Sequence, residues 1–464
     1  MKKLNKDIGP MRILLISLIM VIILGACILK LPICNKQPIR IIDSIFVATS
    51  AVCVTGLTTV VPAEQFTTIG QVVLLVLIQI GGIGLMTLIS IVLIMIGRKL
   101  NLSDKIIIRE SLSQNSFNGL VTLIKRICLY TVVLEAIGAI LLSIKFIPDL
   151  GVAKGIWYSV FHSISAFCNA GFDLLGNNSI SMYSGDWLVC LTLMALIIIG
   201  GLGFTVWDDI VLNIKGKKKF KNLTVHTKIV LLMTILLLVT GAIAILIFEC
   251  DNMQTMKNDN WATKILKSAF QSTTLRTAGF YSIPQNELTS VSKLLAVCYM
   301  FIGGSPASTA GGIKTVTLGV IILLVMNYIK GNKEVNVFNR RISESSGNRA
   351  IVVISISIFI VIMAIGLLLI TEDFESEKML KEEISQDINL SIEDIVFEVI
   401  SAFATVGLTL GITSQLTFAG KLVIISLMII GRLGPITISI ALFKKHKETK
   451  QTKVQYPYGN ILIG

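Results

Sequence analysis

Charge is scarce in this sequence: Asp, Glu, Lys and Arg make up 15% of its 464 residues, against 53% hydrophobic residues. A soluble domain carries roughly 25% charged residues, so an ordinary water-facing surface is excluded. Histidine is almost absent. His162, His226 and His446 lie far apart, leaving no pair for a metal site. The eight cysteines are scattered singly, mostly inside apolar runs and without CxxC spacing. They read as small buried hydrophobes, not as a disulfide framework or metal set. No catalytic triad, HExxH or Gly-rich dinucleotide fingerprint occurs. A polytopic membrane enzyme, such as an acyltransferase, needs a paired acid/base constellation near one interface, and none is found. That class and a membrane scaffold are distant alternatives.

What the chain has instead is apolar length. Mean hydropathy is +0.81, and the runs 13–29, 72–96, 188–204, 229–248, 351–370 and 422–443 match the ~20 residues that cross a bilayer. The chain is expected to be a polytopic membrane protein. The first run is long and has no clear small-x-small cleavage site after it, so it does not read as a removable signal. The net charge of +13 raises nucleic acid as a partner, but its distribution argues against one. Basic residues collect in alternate loops: Lys2, Lys3 and Lys6; Arg98, Lys99, Lys105 and Arg109; Lys215 and Lys217–Lys221; Lys330, Lys333, Arg340, Arg341 and Arg349; and Lys444–Lys453. The intervening loops are mixed or acidic, most clearly 372–383. This is the positive-inside pattern, which predicts a multi-pass protein of the cell membrane with both termini cytoplasmic.

A polar, Gly-centred stretch recurs four times: TSAVCVTGLTT at 49–59, SAFCNAGFD at 165–173, TTLRTAGFY at 273–281 and SAFATVGLT at 401–409. Each has Ser or Thr six residues before a glycine, and Leu or Phe directly after it. Gly56, Gly171, Gly279 and Gly407 are spaced by 115, 108 and 128 residues. Each stretch sits between apolar spans, so four span–loop–span units are expected. These are 11–31, 42–53 and 70–97; 121–146, 156–168 and 187–214; 228–248, 261–275 and 291–329; and 350–370, 391–404 and 418–443. The divisions follow as repeat one at 1–100, repeat two at 101–220, repeat three at 221–335, repeat four at 336–445, and a cytoplasmic tail at 446–464 containing YPYGNILIG. The segments before the glycines are about 12 residues long, too short to span, and are expected to be re-entrant. The expected fold is all-α, with eight transmembrane spans and four re-entrant pore helices in parallel repeats around one axis.

Irregular backbone at membrane depth is tolerated only inside protein or along a water-filled path. Four such loops on one axis suit a ring of carbonyls around a dehydrated cation, with glycine supplying positive φ and close approach. The candidate filter comprises Cys53, Val54, Thr55 and Gly56; Cys168, Asn169, Ala170 and Gly171; Arg276, Thr277, Ala278 and Gly279; and Ala404, Thr405, Val406 and Gly407. The carbonyls of Val54, Thr55, Asn169, Ala170, Thr277, Ala278, Thr405 and Val406 are the candidate ion ligands. Arg276 is expected to point away and brace its loop, and His162 to be a hydrogen-bonded packing residue.

Some 24–29 residues after each glycine come GGIG (81–84), GGLG (200–203), GGSP (303–306) and GRLG (431–434). In the first two, small residues allow close helix packing. The third opens GGSPASTAGGIKT, where a continuous lipid-facing helix is not expected. A loop within the pore, acting as a gate, is the reading for Gly303, Gly304, Ser305, Pro306, Gly311, Gly312 and Lys314. It is not a phosphate loop, because Ile313 separates Gly312 from Lys314 and no strand precedes it. Arg432 stands in the register of Gly82, Gly201 and Gly304. A fixed charge there faces the interior, either as a barrier in the pore or paired with a buried carboxylate such as Glu135.

These residues resemble the Trk/Ktr/HKT potassium transporter superfamily: VTGL, NAGF, TAGF and TVGL at the four glycines, the Gly-rich break in unit three and the arginine in unit four. The resemblance covers essentially the whole chain and looks most like the Ktr membrane subunit (KtrB-like) branch. It implies K⁺ uptake, often linked to Na⁺, through one pore per protomer. It further implies a homodimer in the lipid membrane, bound to a cytoplasmic RCK-type nucleotide-binding subunit (KtrA-like). No cofactor binds this chain; any nucleotide belongs to the partner. Gly at all four filter positions favours K⁺, since Ser in the first marks Na⁺ preference in the plant branch. Cys53, where Thr or Ser is common, is the departure, and a Na⁺-preferring or Na⁺-coupled transporter of the same fold is the alternative.

Overall fold

The structure is a computed structural model that describes residues 10–84, 87–88, 90, 106, 119–176, 178–216, 222–331, 334–381 and 391–443. The end of the second span of unit one, many of the basic loop residues and the tail 446–464, with His446, lie outside the described residues. Among the described residues, the helices of nine residues or more are α1 (Pro10–Leu29), α2 (Ile41–Cys53), α3 (Thr68–Ile83), α4 (Leu120–Leu150), α5 (Val152–Phe167), α6 (Trp187–Leu202), α7 (Phe204–Lys215) and α8 (Val225–Glu249). They continue as α9 (Trp261–Thr274), α10 (Ser290–Phe301), α11 (Thr315–Ile329), α12 (Glu344–Lys381), α13 (Ile392–Ala404), α14 (Phe418–Leu433) and α15 (Pro435–Phe443). A two-residue antiparallel hairpin, Asn336–Val337 with Arg340–Arg341, joins α11 to α12.

Among the described residues, four single helices are long and apolar enough to cross a bilayer: Met11–Leu29, Leu120–Leu150, Val225–Glu249 and Glu344–Glu372. Only 28, 28, 39 and 22% of their most apolar windows is buried. The larger part of each therefore presents hydrocarbon outward, a surface suited to lipid and not to water. After each long span comes a short helix of 13, 16, 14 or 13 residues (α2, α5, α9, α13). At 1.5 Å per residue none of these can cross ~30 Å of hydrocarbon.

The helix after that begins the same way in every unit. Thr67, Asp186, Thr289 and Thr417 each cap α3, α6, α10 and α14 by accepting backbone N–H groups with their side chains. Two caps are also tethered to the end of their own long span: Thr289 donates to Glu249 at 2.8 Å and Thr417 to Glu372 at 2.9 Å. Span, short helix and return helix are thus fixed at one end.

At the other end the return helices break, and more often than the sequence pattern predicts. Unit three opens into a loop between α10 and α11, as anticipated. Units two and four, expected as continuous spans, bend by 95° between α6 and α7 and by 99° between α14 and α15. Gly84, Gly203 and Gly434, each the last glycine of its motif, have φ of 89°, 94° and 85°. A helix cannot continue through that conformation, and Pro435 removes a further donor. The motifs also allow close packing: Gly81, Gly200 and Gly431 lie directly on the carbonyls of Val52, Phe167 and Phe403, near the ends of their own units' short helices.

Packing between units closes a ring. Helix α5 packs on α3, α9 on α6, α13 on α10 and α2 on α14. Each short helix thus lies against the return helix of the preceding unit, and unit one against unit four. At that last seam Lys421 Nζ meets Asp43 Oδ1 at 2.9 Å, with both residues buried. Removing one partner of a buried ion pair strands the other charge, at about 3–5 kcal/mol, whereas replacing both with apolar groups is often neutral. Lys421→Met should therefore lower the thermal stability of the detergent-purified protein, and Asp43→Leu with Lys421→Met should recover most of it.

Candidate functional site

The four short helices end in the same unusual backbone. Val54, Asn169, Thr277 and Thr405, two residues before each glycine, have φ of 56°, 57°, 64° and 52°. The glycines follow at 98°, 70°, 79° and 92°. Three of the four leading residues are β-branched, for which positive φ is an outlier, and each such residue costs on the order of 1–3 kcal/mol. The strain recurs at the same place in every unit. Between each pair, Thr55, Ala170, Ala278 and Val406 keep ordinary φ, and such alternation of sign sets successive N–H groups to one side of the strand and carbonyls to the other.

Hydrogen bonds hold the N–H side against the helix behind. Thr55, Ala170 and Val406 donate from their backbone nitrogens to the carbonyls of Ser50, Ser165 and Ser401 at 2.8 Å, and Ala278 donates to Thr274 at 3.0 Å. The hydroxyl six residues before each glycine has a local task in three units. Ser50 and Ser401 accept the N–H of Gly56 and Gly407 at 3.0 and 3.1 Å, and Ser165 donates to the Phe172 carbonyl at 2.7 Å. In unit three the neighbouring Thr274 donates to Phe280 instead. With the N–H groups held behind, the carbonyls are left to face forward.

They face one another's glycines. A Cβ on Gly56 would lie 2.7 Å from the Ala170 carbonyl oxygen, one on Gly171 2.9 Å from that of Ala278, and one on Gly279 2.9 Å from that of Val406. A Cβ on Gly407 would strike the carbonyl of Thr55. The contacts run around the ring, unit two to one, three to two, four to three and one to four. Four strands from positions more than a hundred residues apart converge with only backbone between them.

The remaining candidates surround this ring. Arg276 turns outward to Thr234 of α8, with Nη2 and Oγ1 3.5 Å apart. His162 pairs Nδ1 with the Tyr158 carbonyl at 2.7 Å and accepts the Leu174 N–H at 3.4 Å, holding the chain after strand two. Glu398 does the same in unit four, accepting from Thr409 at 2.7 Å and Thr413 at 2.5 Å. Ala404 backs Gly312, and Cys168 lies against Gly82. Cys53 is fully buried.

The Gly-rich stretch of unit three folds into a pinned loop. Ile302 and Ile313 bridge at its base, with Gly303 N–H donating to the Ile313 carbonyl at 2.8 Å. Ser305 N–H reaches Gly201 at 3.0 Å, Thr315 N–H reaches Gly304 at 3.0 Å, and Phe204 N–H reaches Ala307 at 2.8 Å, beside Pro306. Gly311 abuts the Thr405 side chain. Thr309 Oγ1 approaches Asn169 Oδ1 at 3.1 Å, so the loop touches strands two and four directly. Lys314 turns back on the Ala310 carbonyl at 2.7 Å.

Arg432 does not pair with Glu135. Its guanidinium donates instead to the carbonyls of Thr309 and Gly81, tying the loop of unit three to the end of α3 from unit four. Glu135 accepts from Gln79 Nε2 at 3.0 and 3.1 Å. The carboxylate explanation fails because both terminal nitrogens of the arginine are directed at backbone oxygens. A cavity of about 260 Å³ flanks the loop, lined by Lys314, Arg349 and Arg432 together with α1 residues Leu14 and Leu18. The Thr309 and Gln79 contacts were not anticipated; the only signal was a run of hydroxyls in one and a polar side chain in an apolar helix in the other.

A model of the TrkH family, described as cation transport protein, matches residues 12–454. The chain belongs to that family. Membership sets aside the enzyme and scaffold readings. Among relatives of this TrkH-family chain, the Potassium/sodium uptake protein NtpJ of Enterococcus hirae is 38% identical over 100% of this chain and 99% of its own. The Ktr system potassium uptake protein B of Bacillus subtilis is 39% identical over 98% and 97%. The crystal structure of the potassium transporter TrkH from Vibrio parahaemolyticus superposes with a TM-score of 0.73, covering 94% of this chain and 86% of that one at 17% identity. That likeness bears on the fold. The expected all-α, multi-pass architecture and the family resemblance both hold.

The ring makes its own prediction. Gly171→Ala places a methyl 2.7 Å from the Gly279 Cα, in backbone at φ 70°, where only glycine is unstrained. Membrane insertion should persist while cation flux in proteoliposomes falls by about tenfold or more, since overpacking costs about 1–3 kcal/mol.

Proposed function

We propose that this chain carries potassium ions into the cell through the ring formed by Gly56, Gly171, Gly279 and Gly407. One observation carries the reading: the carbonyls of Thr55, Ala170, Ala278 and Val406 each lie against the glycine of a neighbouring unit, so that the four contacts close a ring. Such carbonyls replace the hydration shell of a cation that has shed its water. The carbonyls of Val54, Asn169, Thr277 and Thr405 form the next layer of ligands. Potassium is favoured because relatives covering the full chain are potassium uptake proteins by name and because all four filter positions are glycine. Sodium as a second or coupled ion is the alternative, supported by the potassium/sodium description of the Enterococcus hirae relative.

Gating falls to the loop 303–314 and Arg432. The loop sits against strands two and four, and the arginine fixes it by two backbone carbonyls. A guanidinium beside the path also raises the barrier to a cation. In the cell membrane, with both termini in the cytoplasm and a second copy as dimer mate, a nucleotide-binding partner would act from the cytoplasmic face. The word "system" in the name of the Bacillus subtilis relative fits a subunit that works with others.

Expression in a strain lacking potassium uptake should restore growth at low external K⁺, with and without added Na⁺; rescue that appears only with Na⁺ selects the coupled alternative, and no rescue rejects potassium uptake. Gly279→Ser should lower the K⁺ over Na⁺ uptake ratio severalfold, whereas an unchanged ratio counts against the ring as filter. Arg432→Gln should raise the basal rate of Rb⁺ uptake with little change in half-saturation, because the barrier and not the binding step loses its charge.

A further inference from the structure

We infer that Glu135 is a positioning residue for ion selection, setting filter strand two and the end of α3 through one shared hydrogen-bond network. The inference rests on the reading of Gly171 as a filter residue. Glu135 lies in the long span α4, yet it is only 8% exposed. A carboxyl group at that depth is costly unless bonded. Its bonds come from two places. Gln79 Nε2, on α3 of unit one, donates to both carboxyl oxygens at 3.0 and 3.1 Å. Cys168 Sγ, at the start of strand two, lies 3.9 Å from Oε1, and 3.4 Å from Gln79 Oε1. The backbone carbonyl of Glu135 also accepts the Ser163 hydroxyl of α5 at 2.6 Å, anchoring the helix that leads into the same strand.

What these partners touch gives the network its reach. Cys168 rests on Gly82, where a Cβ would lie 2.8 Å from its own Cβ, and it precedes Asn169, whose backbone is strained. Gln79 is two residues from Gly81, whose carbonyl receives Arg432. Arg432 in turn holds Thr309, and Thr309 Oγ1 returns to Asn169. Contacts therefore run from Cys168 through Glu135 and Gln79 to the end of α3, on to Arg432 and the loop, and back to strand two. Adjacency alone is not coupling, but Glu135 is where strand two and α3 share a partner.

The test exchanges the pair in the full-length protein in proteoliposomes, reading the Rb⁺ over Na⁺ uptake ratio and separating half-saturation from maximal rate. Glu135→Gln removes the charge and one of the two oxygens that accept from Gln79, and Gln79→Glu sets a carboxylate against a carboxylate. Each should lower the ratio by about threefold to tenfold, the scale of a disturbed buried hydrogen bond. The double variant Gln79→Glu with Glu135→Gln restores one acid and one amide and should return the ratio toward that of the unaltered protein. Size-exclusion profiles identify variants that fail to fold; should Gln79→Glu fail, Cys168→Ala is read in its place and should lower the ratio as Glu135→Gln does. Ratios unchanged in the folded single variants, or a double variant as altered as either, overturn the inference. Gly279→Ser in the same assay separates the two readings. If it shifts the ratio while Glu135→Gln does not, only Glu135 falls; if neither shifts it, the filter itself falls.

Discussion

Backbone must meet backbone at the centre of this molecule, and no side chain can be allowed to intervene. The carbonyls of Thr55, Ala170, Ala278 and Val406 reach the α-carbons of the neighbouring unit's glycines, so four glycines are a steric condition for four strands to share one axis. Carbonyls gathered in that way repel one another. What holds them is the set of N–H bonds to Ser50, Ser165, Thr274 and Ser401 on the other side of each strand, and behind those a short helix wedged against the previous unit's return helix. The strain at Val54, Thr277 and Thr405 is maintained by that surround. Loosening any layer would let the strands relax into backbone that no longer faces the axis.

The same condition explains the second row of glycines. A short helix can end at the axis only if its own return helix passes close behind it, and Gly81, Gly200 and Gly431 permit that approach to Val52, Phe167 and Phe403. Once the return helix has passed, Gly203 and Gly434 turn it aside, and Gly84 ends α3 at the same positive φ. Unit three does not follow: its chain leaves α10 after Phe301 and runs as a loop until α11 begins at Thr315, where units two and four bend instead.

Much of this was legible in the sequence, because the determinants are residue types in register. The repeated Gly announces a strand that needs positive φ, and all four glycines have it; the hydroxyl six residues before caps the glycine N–H in units one and four only. The bends in units two and four were not legible. GGLG reads equally as a packing surface in a straight helix, and only the φ of Gly203 separates the two. The partners of Arg432 were hidden for a different reason: they are backbone carbonyls, which every residue possesses, so composition pointed instead to Glu135. Asp43 and Lys421, 378 positions apart, could be seen as buried charges but not as a pair, since the seam between units four and one exists only once the ring is closed.

Fourfold repetition and a single unlike loop pull in opposite directions, and the chain reconciles them by being one polypeptide. Four identical subunits would carry four loops and four arginines on the axis, whose mutual repulsion at membrane depth would be severe. Here the strands stay equivalent, while among the described residues unit three alone supplies the loop and unit four alone supplies Arg432. The arginine donates to unit three and to unit one at once, and the loop touches units two and four. A small displacement of that loop would therefore be felt in every unit. On the proposed reading, duplication has let the filter keep its symmetry while control is concentrated in two unlike elements beside it.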